Sequence, residues 1–142
     1  MQSRATATWE GDLMSGKGTT NSGTGTFKNL NLSWKARTEG ALAHTSPEEL
    51  LAAAHASCFS MALSNGLAKS GHKPKKIETS CTIEFGPKQG GGFEVKSSLL
   101  EVEGAVPGID AAAFQKAAED AKNGCPISNA LKIPMSVRAS LA

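Results

Sequence analysis

The segment Ser46-Pro47-Glu48-Glu49, followed by a run that is almost all alanine, constrains this chain more than any other stretch. Ser46 is a favourable N-cap, Pro47 suits the first helical position, and Glu49 three residues on completes a capping box. The spacing predicts a helix through Leu50, Ala54, Cys58, Met61 and Ala62 towards Lys69, with Gly71 as its stop. Ala52 to Cys58 carries almost no bulk on any side. Such a helix is expected to pack closely against other elements. The apolar stretch Leu50 to Leu63 is broken by His55, Ser57 and Ser60 and is too short to cross a bilayer.

Strand patterns flank this helix. Ala5, Ala7 and Trp9 alternate with Thr6, Thr8 and Glu10. Gly11-Asp12 and Ser22-Gly23 are turn signals, and Thr24–Phe27 and Leu30–Trp34 are further strand candidates. Lys35 to Thr45, which includes Arg37, reads as a loop. Beyond the helix, Ile77, Cys81, Ile83 and Phe85 share the apolar face of a strand, Gly86 to Gly92 forms a hairpin loop, and Phe93 to Glu103 returns. Asp110 caps a helix that Gly124 ends. Cys125-Pro126 opens a short helix to Lys132, and Met135 to Leu141 alternates as a last strand. The expected class is α+β, as a single domain over residues 1–142 with no repeat or linker.

At 142 residues the chain can bury a core without disulfide staples. Its net charge of +2 is spread over interspersed lysines and glutamates, with no basic block. Nucleic acid and an anionic membrane are therefore not the expected partners. The N-terminus shows no apolar signal region, and the cytoplasm is the expected location. Three widely spaced cysteines cannot form a closed disulfide framework, so each is a core residue, a redox residue or a ligand.

Cys81, mid-strand on an apolar face, reads as core. Cys125 precedes a proline, which pushes it out of the α region and into an N-cap position. There the helix dipole favours a thiolate, although a buried apolar cap would look the same. Cys58 lies in a helix interior, beyond the reach of that dipole. It is either a small core residue or a thiol activated by something else. His55, three residues earlier, shares its face. It could form a thiol–base dyad, contribute to a zinc site with Cys58 and Cys125, or serve as a hydrogen-bonded packing residue. Tight ligand pairs are missing. The other reading of Arg37 is a solvated loop residue, and that of Glu48 is an early-turn carboxylate that only complements its helix dipole. Phe59, Phe27 and Trp34 could line an apolar pocket for an alkyl chain, with ordinary core expected for at least two.

The segment from Ser46 to Leu63 resembles the central helix of the OsmC/Ohr family, the osmotically inducible and organic-hydroperoxide-resistance proteins. Ala7-Thr8-Trp9-Glu10-Gly11-Asp12 with Gly16-Lys17-Gly18 resembles the family's N-terminal strands. Val106-Pro107-Gly108-Ile109-Asp110 and Gly124-Cys125-Pro126-Ile127-Ser128 resemble its C-terminal half. The Trp-Glu-Gly-Asp opening and His55 look more like the OsmC branch. Cys81 is outside the motif.

The resemblance implies an OsmC-like fold, with antiparallel sheets around a long central helix in an intertwined homodimer. It implies a cysteine-based peroxidase that reduces organic hydroperoxides, and more weakly hydrogen peroxide, to alcohols. In that scheme Cys58 attacks, Cys125 resolves through a Cys58–Cys125 disulfide, and Arg37 and Glu48 orient and ionise the first thiol. A dithiol such as a lipoylated protein would be the reductant, and no cofactor or metal is expected. Glu48 and Cys58 lie ten positions apart on the expected helix, roughly 15 Å along its axis and about 80° apart around it. Glu48 would therefore serve the other subunit's Cys58. The competing class is a non-catalytic stress or ligand-binding protein whose thiols are structural or sensory.

Overall fold

The computed structural model describes residues 1–142, and the sequence patterns explain most of its elements. They are β1 (Ala5–Glu10), β2 (Lys17–Ser22), β3 (Leu30–Leu32), α1 (Trp34–Thr38), α2 (Pro47–Lys69), β4 (Lys76–Pro87), β5 (Phe93–Ala105), α3 (Ala111–Gly124), α4 (Pro126–Ala130) and β6 (Met135–Leu141). The class is α+β, with two three-stranded sheets of order β1-β2-β3 and β4-β5-β6. The chain divides into two compact units, Met1–Leu50 and Leu51–Ala142.

In the first unit, β1 and β2 form an antiparallel hairpin with Trp9 opposite Gly18, and β2 pairs antiparallel with β3. Thr24–Phe27 is not a strand. Ser22 instead closes a turn there, its amide and hydroxyl both donating to the Phe27 carbonyl at 3.1 and 3.2 Å. Trp34 is likewise not in a strand, and the expected loop is interrupted. Ser33 caps α1, accepting from the Ala36 amide at 3.1 Å, and Arg37 is thereby carried on a helical turn.

Helix α2 starts and stops where its caps require. The Glu49 amide donates to Ser46 Oγ at 3.1 Å. The reciprocal half of the capping box does not form, because the Glu49 carboxylate accepts from Thr45 Oγ1 at 2.7 Å instead. At the other end the His72 amide reaches the Leu67 carbonyl at 2.9 Å and the Gly71 amide reaches Ala68 at 3.2 Å. This is a Schellman closure, and Gly71 supplies its left-handed residue at φ +87°. The helix is long and apolar enough to cross a membrane by length and composition. In this fold one of its faces is core: Phe59, Leu63 and Leu67 are fully buried, each contributing roughly 1.5–3 kcal/mol.

The second unit is organised by its sheet. β4 and β5 pair antiparallel with a bulge at Glu84/Phe85, and β5 pairs parallel with β6. The crossover between the parallel strands carries α3 and α4. Leu100, Val102 and Val137 on the sheet meet Phe59, Leu63 and Leu67 of α2 and Phe114, Ala118 and Ala121 of α3 in one cluster. Gly104 is required there, since an added Cβ would lie 2.5 Å from the Phe114 ring. Phe59 is core. The small residues of α2 do not all make the close packing expected of them within the chain, because Ala53, Ala54 and Ser57 are exposed.

Candidate active site

Two of the three cysteines meet in the second unit. α2 presents Cys58 from its interior, partly exposed and packed against the core. Cys125 joins α3 to α4 in extended backbone, φ −69° and ψ 124°, as the residue before a proline must. It is fully buried. Both are free thiols, and each influences the other's ionisation. Burial pushes the Cys58 thiol up, and its position as donor to Cys125 adds to this against the lowering effect of the Ile127 amide. Burial also opposes ionisation of Cys125, but the Ser128 amide, the Cys58 thiol, the Ser128 hydroxyl and the Ile127 amide together outweigh it and hold that thiol below its usual range. The sulfur makes no capping hydrogen bond of ordinary geometry, so the amides act on it electrostatically. Taken alone, this chain puts the more acidic thiol inside and the more accessible one outside.

His55 is not a base for Cys58. It is fully buried, and both ring nitrogens are occupied: Nδ1 lies 2.8 Å from Ser98 Oγ and Nε2 lies 2.7 Å from Ser128 Oγ. Burial lowers its basicity and keeps the ring neutral. Cys81 packs against the core as expected, and its thiol also sits 3.3 Å from Ser98 Oγ. Burial raises it. No group of three or more His, Cys, Asp or Glu is arranged to hold a metal ion.

Arg37 and Glu48 meet in the first unit. Arg37 Nε donates to both carboxylate oxygens, at 3.2 and 3.1 Å, and Nη2 donates to Oε1 at 2.6 Å. The guanidinium also stacks 5.7 Å from the Trp34 ring centroid. Glu48 is buried and Arg37 about a third exposed, so this bidentate pair fixes the guanidinium while leaving part of it open.

Comparison with known proteins decides the family. The family model for OsmC-like proteins matches residues 38–140. Peroxiredoxin OsmC of Escherichia coli (strain K12) is 42% identical over 131 residues, covering 92% of this chain and 90% of that protein. The chain belongs to the OsmC family. An organic hydroperoxide resistance protein of Xanthomonas axonopodis pv. citri (strain 306) is 34% identical over 99 residues, covering 69% of this chain and 67% of that one. The fold is shared with an OsmC-like protein of Vibrio cholerae O1 biovar eltor, at a TM-score of 0.76 and 17% identity, covering 99% of each chain.

In this OsmC-family chain the motif residues are thus gathered as two pairs, one in each unit. Ser98 and Ser128 were not foreseen. Ser98 is a buried hydroxyl on a strand face otherwise held by Leu100 and Val102, and such a polar position opposite a buried histidine is the one signal that marks it.

Proposed function

We propose that the chain is a thiol-dependent peroxidase that reduces organic hydroperoxides to alcohols, and hydrogen peroxide more weakly, with Cys58 attacking and Cys125 resolving. The observation that carries this reading is the asymmetry of the thiol pair. The two thiols influence each other's ionisation, but only Cys58 is open to a substrate. A fully enclosed sulfur is a poor attacker however acidic it is, and a good second thiol. The names of the relatives, a peroxiredoxin and an organic hydroperoxide resistance protein, point to the same chemistry.

The electron count closes over three steps. The Cys58 thiolate attacks the distal peroxide oxygen, the O–O bond breaks, and the alkoxide leaves as alcohol after taking a proton. The Cys125 thiolate then attacks the Cys58 sulfenic sulfur, and hydroxide leaves as water on protonation. A dithiol, with a lipoylated protein as the proposed carrier, reduces the disulfide and is itself oxidised.

Cys58 needs a partner charge, since its surroundings in the chain raise it. Arg37, held by Glu48, is the proposed source: a nearby guanidinium favours the thiolate. On one helix Glu48 and Cys58 are roughly 15 Å apart along the axis. The pair therefore serves the Cys58 of a second subunit, in an intertwined homodimer whose protomer is one OsmC-like domain, residues 1–142, in the cytoplasm. The exposed small-residue stripe of α2, the fully exposed strand β1 and the half-exposed Trp9 support such a partner. Turnover tests the whole reading. With a dithiol present the protein should consume many equivalents of cumene hydroperoxide and, without it, one, leaving a Cys58–Cys125 disulfide and a free Cys81. Consumption limited to one equivalent with dithiol present would make it a sensor.

A further inference from the structure

The peroxidase scheme gives no part to His55, the largest fully buried polar side chain in the fold. Its ring is held from two sides, by partners on different elements. Nδ1 lies 2.8 Å from Ser98 Oγ on β5, and Nε2 lies 2.7 Å from Ser128 Oγ on α4. Ser98 is itself fixed. Its amide donates to the Pro134 carbonyl at 3.0 Å, and its hydroxyl lies 3.3 Å from the Cys81 sulfur of β4. With one nitrogen anchored on the sheet, the imidazole is a post between α2 and β5 whose other nitrogen faces α4.

α4 depends on that post more than a longer helix would. A helix of five residues has little stability of its own. Ser128 is its one buried residue. Ile127 packs against the core half-buried, and Pro126, Asn129 and Ala130 are exposed. Little apolar surface therefore docks it. The connection from α3 to β6 is fixed at one end by α3 and at the other by the Ser98–Pro134 bond, and between them the Ser128–His55 bond grips it from inside. Cys125 moves with α4, because the Asn129 amide donates to the Cys125 carbonyl at 3.0 Å.

We propose that His55 is a latch on α4: its bond to Ser128 keeps the turn that carries Cys125 closed, and without that bond α4 opens as a unit while α2 and the sheet stay folded. The latch itself is independent of the peroxidase reading, but its consequence rests on it. With α4 closed, Cys125 attacks the Cys58 sulfenic acid, and the disulfide forms with loss of water. With α4 open, a second hydroperoxide reaches the sulfenic acid first. It transfers one oxygen to the sulfur and leaves as alcohol, and Cys58 ends as a sulfinic acid that a dithiol does not reduce. His55 thereby favours recycling over irreversible oxidation.

The experiment has two arms. The first needs no hydroperoxide. In Cys58→Ser protein, labelling of Cys125 by iodoacetamide is followed by peptide mass spectrometry, with backbone hydrogen exchange measured in parallel. Adding Ser128→Ala should speed Cys125 labelling and the exchange of the Asn129 and Leu131 amides about tenfold, the scale of one lost buried hydrogen bond. The amides of α2 and β5 should exchange as in the parent. His55→Asn keeps a polar atom for Ser98 but is too short to reach Ser128, so it should act like Ser128→Ala and replaces it if that variant does not fold. Ser128→Thr keeps the hydroxyl and should behave as the parent. In the second arm Cys58 is intact, and the protein turns over in excess cumene hydroperoxide with a dithiol present. Ser128→Ala should match the parent in the rate of its first turnover and form Cys58 sulfinic acid about tenfold more often per turnover. Unchanged labelling and exchange around Cys125 overturns the latch, as does exchange that rises equally in α2 and β5, or Ser128→Thr behaving like Ser128→Ala. Faster opening with no added sulfinic acid overturns its protective role. If opening responds but no hydroperoxide is consumed by the parent, the latch stands and the peroxidase reading fails.

Discussion

The two units of the chain differ in what they bury. All eleven buried hydrophobic residues belong to Leu51–Ala142, whereas the buried residues of Met1–Leu50 are Thr20 and Glu48, both polar. The later unit has a core and holds the thiol pair inside it. The earlier one has a three-stranded sheet with β1 exposed along its length, and it carries a bidentate ion pair. A small sheet without a buried apolar face is marginal by itself. The contrast teaches that this chain keeps its thiol pair against an apolar core and its ion pair in the unit whose sheet surface is exposed. In the dimer we propose, that surface is the subunit interface.

The sharpest way to break this division of labour is at the thiols. Cys58→Ser should abolish hydroperoxide consumption, while Cys125→Ser should leave one stoichiometric turnover and a sulfenic acid that can be trapped. The opposite pattern would mean that the acidic, enclosed thiol is the attacker after all. Next comes stability. Phe59→Ala should cost about 3–5 kcal/mol in chemical denaturation, as truncation of a buried aromatic does. Leu32→Ala, only half-buried in the first unit, should cost about 1 kcal/mol in dilute protein. Equal costs would give the first unit a core of its own.

The charge pair is a smaller, separable effect. Arg37→Ala should lower kcat/KM by about 10²-fold, the scale of one lost electrostatic contact at a reacting atom. Its pH dependence fixes the cause. Burial already pushes Cys58 up, so its thiolate grows as pH rises. Without the guanidinium that rise should move to still higher pH, and the deficit should shrink in alkaline buffer. A deficit constant with pH would make Arg37 structural. The smallest effect is the most specific. A mixed dimer of Glu48→Ala and Cys58→Ser subunits gathers both lesions in one site if the pair acts in trans, so about half the activity of the parent dimer should remain. Complete loss would place the pair and the thiol in one subunit.

Legibility in the sequence followed the range of the interaction. The start and stop of α2, the placement of Cys125 before Pro126 and the apolar face of β4 are set by neighbours within a few residues, and each was readable. Thr24–Phe27 looked like a strand because threonine favours strands, but the Ser22–Phe27 turn bonds took its backbone groups. The second half of the capping box failed for a similar reason, Thr45 being the nearer partner for Glu49. His55 joins residues 43 and 73 positions away. No local period reports such a contact, so its hydrogen-bonded character was one option among three and its partners were invisible. The Arg37–Glu48 pair was suggested by family resemblance, but its bidentate geometry depends on α1, a single helical turn without an apolar repeat.

The parallel pairing of β5 with β6 has a consequence for how the protein is made. A parallel neighbour cannot be added by a tight turn, so β6 docks only after the whole crossover that contains Cys125 has been laid down. During synthesis from the N-terminus, Cys58 and Cys81 leave the ribosome well before Cys125 does. For that interval the thiol we propose as the attacker lacks its proposed partner, and an oxidant present then would meet a chain able to pair Cys58 only with Cys81. Cys125, the partner we propose for it, emerges later, so a reducing compartment would guard assembly as well as the proposed turnover.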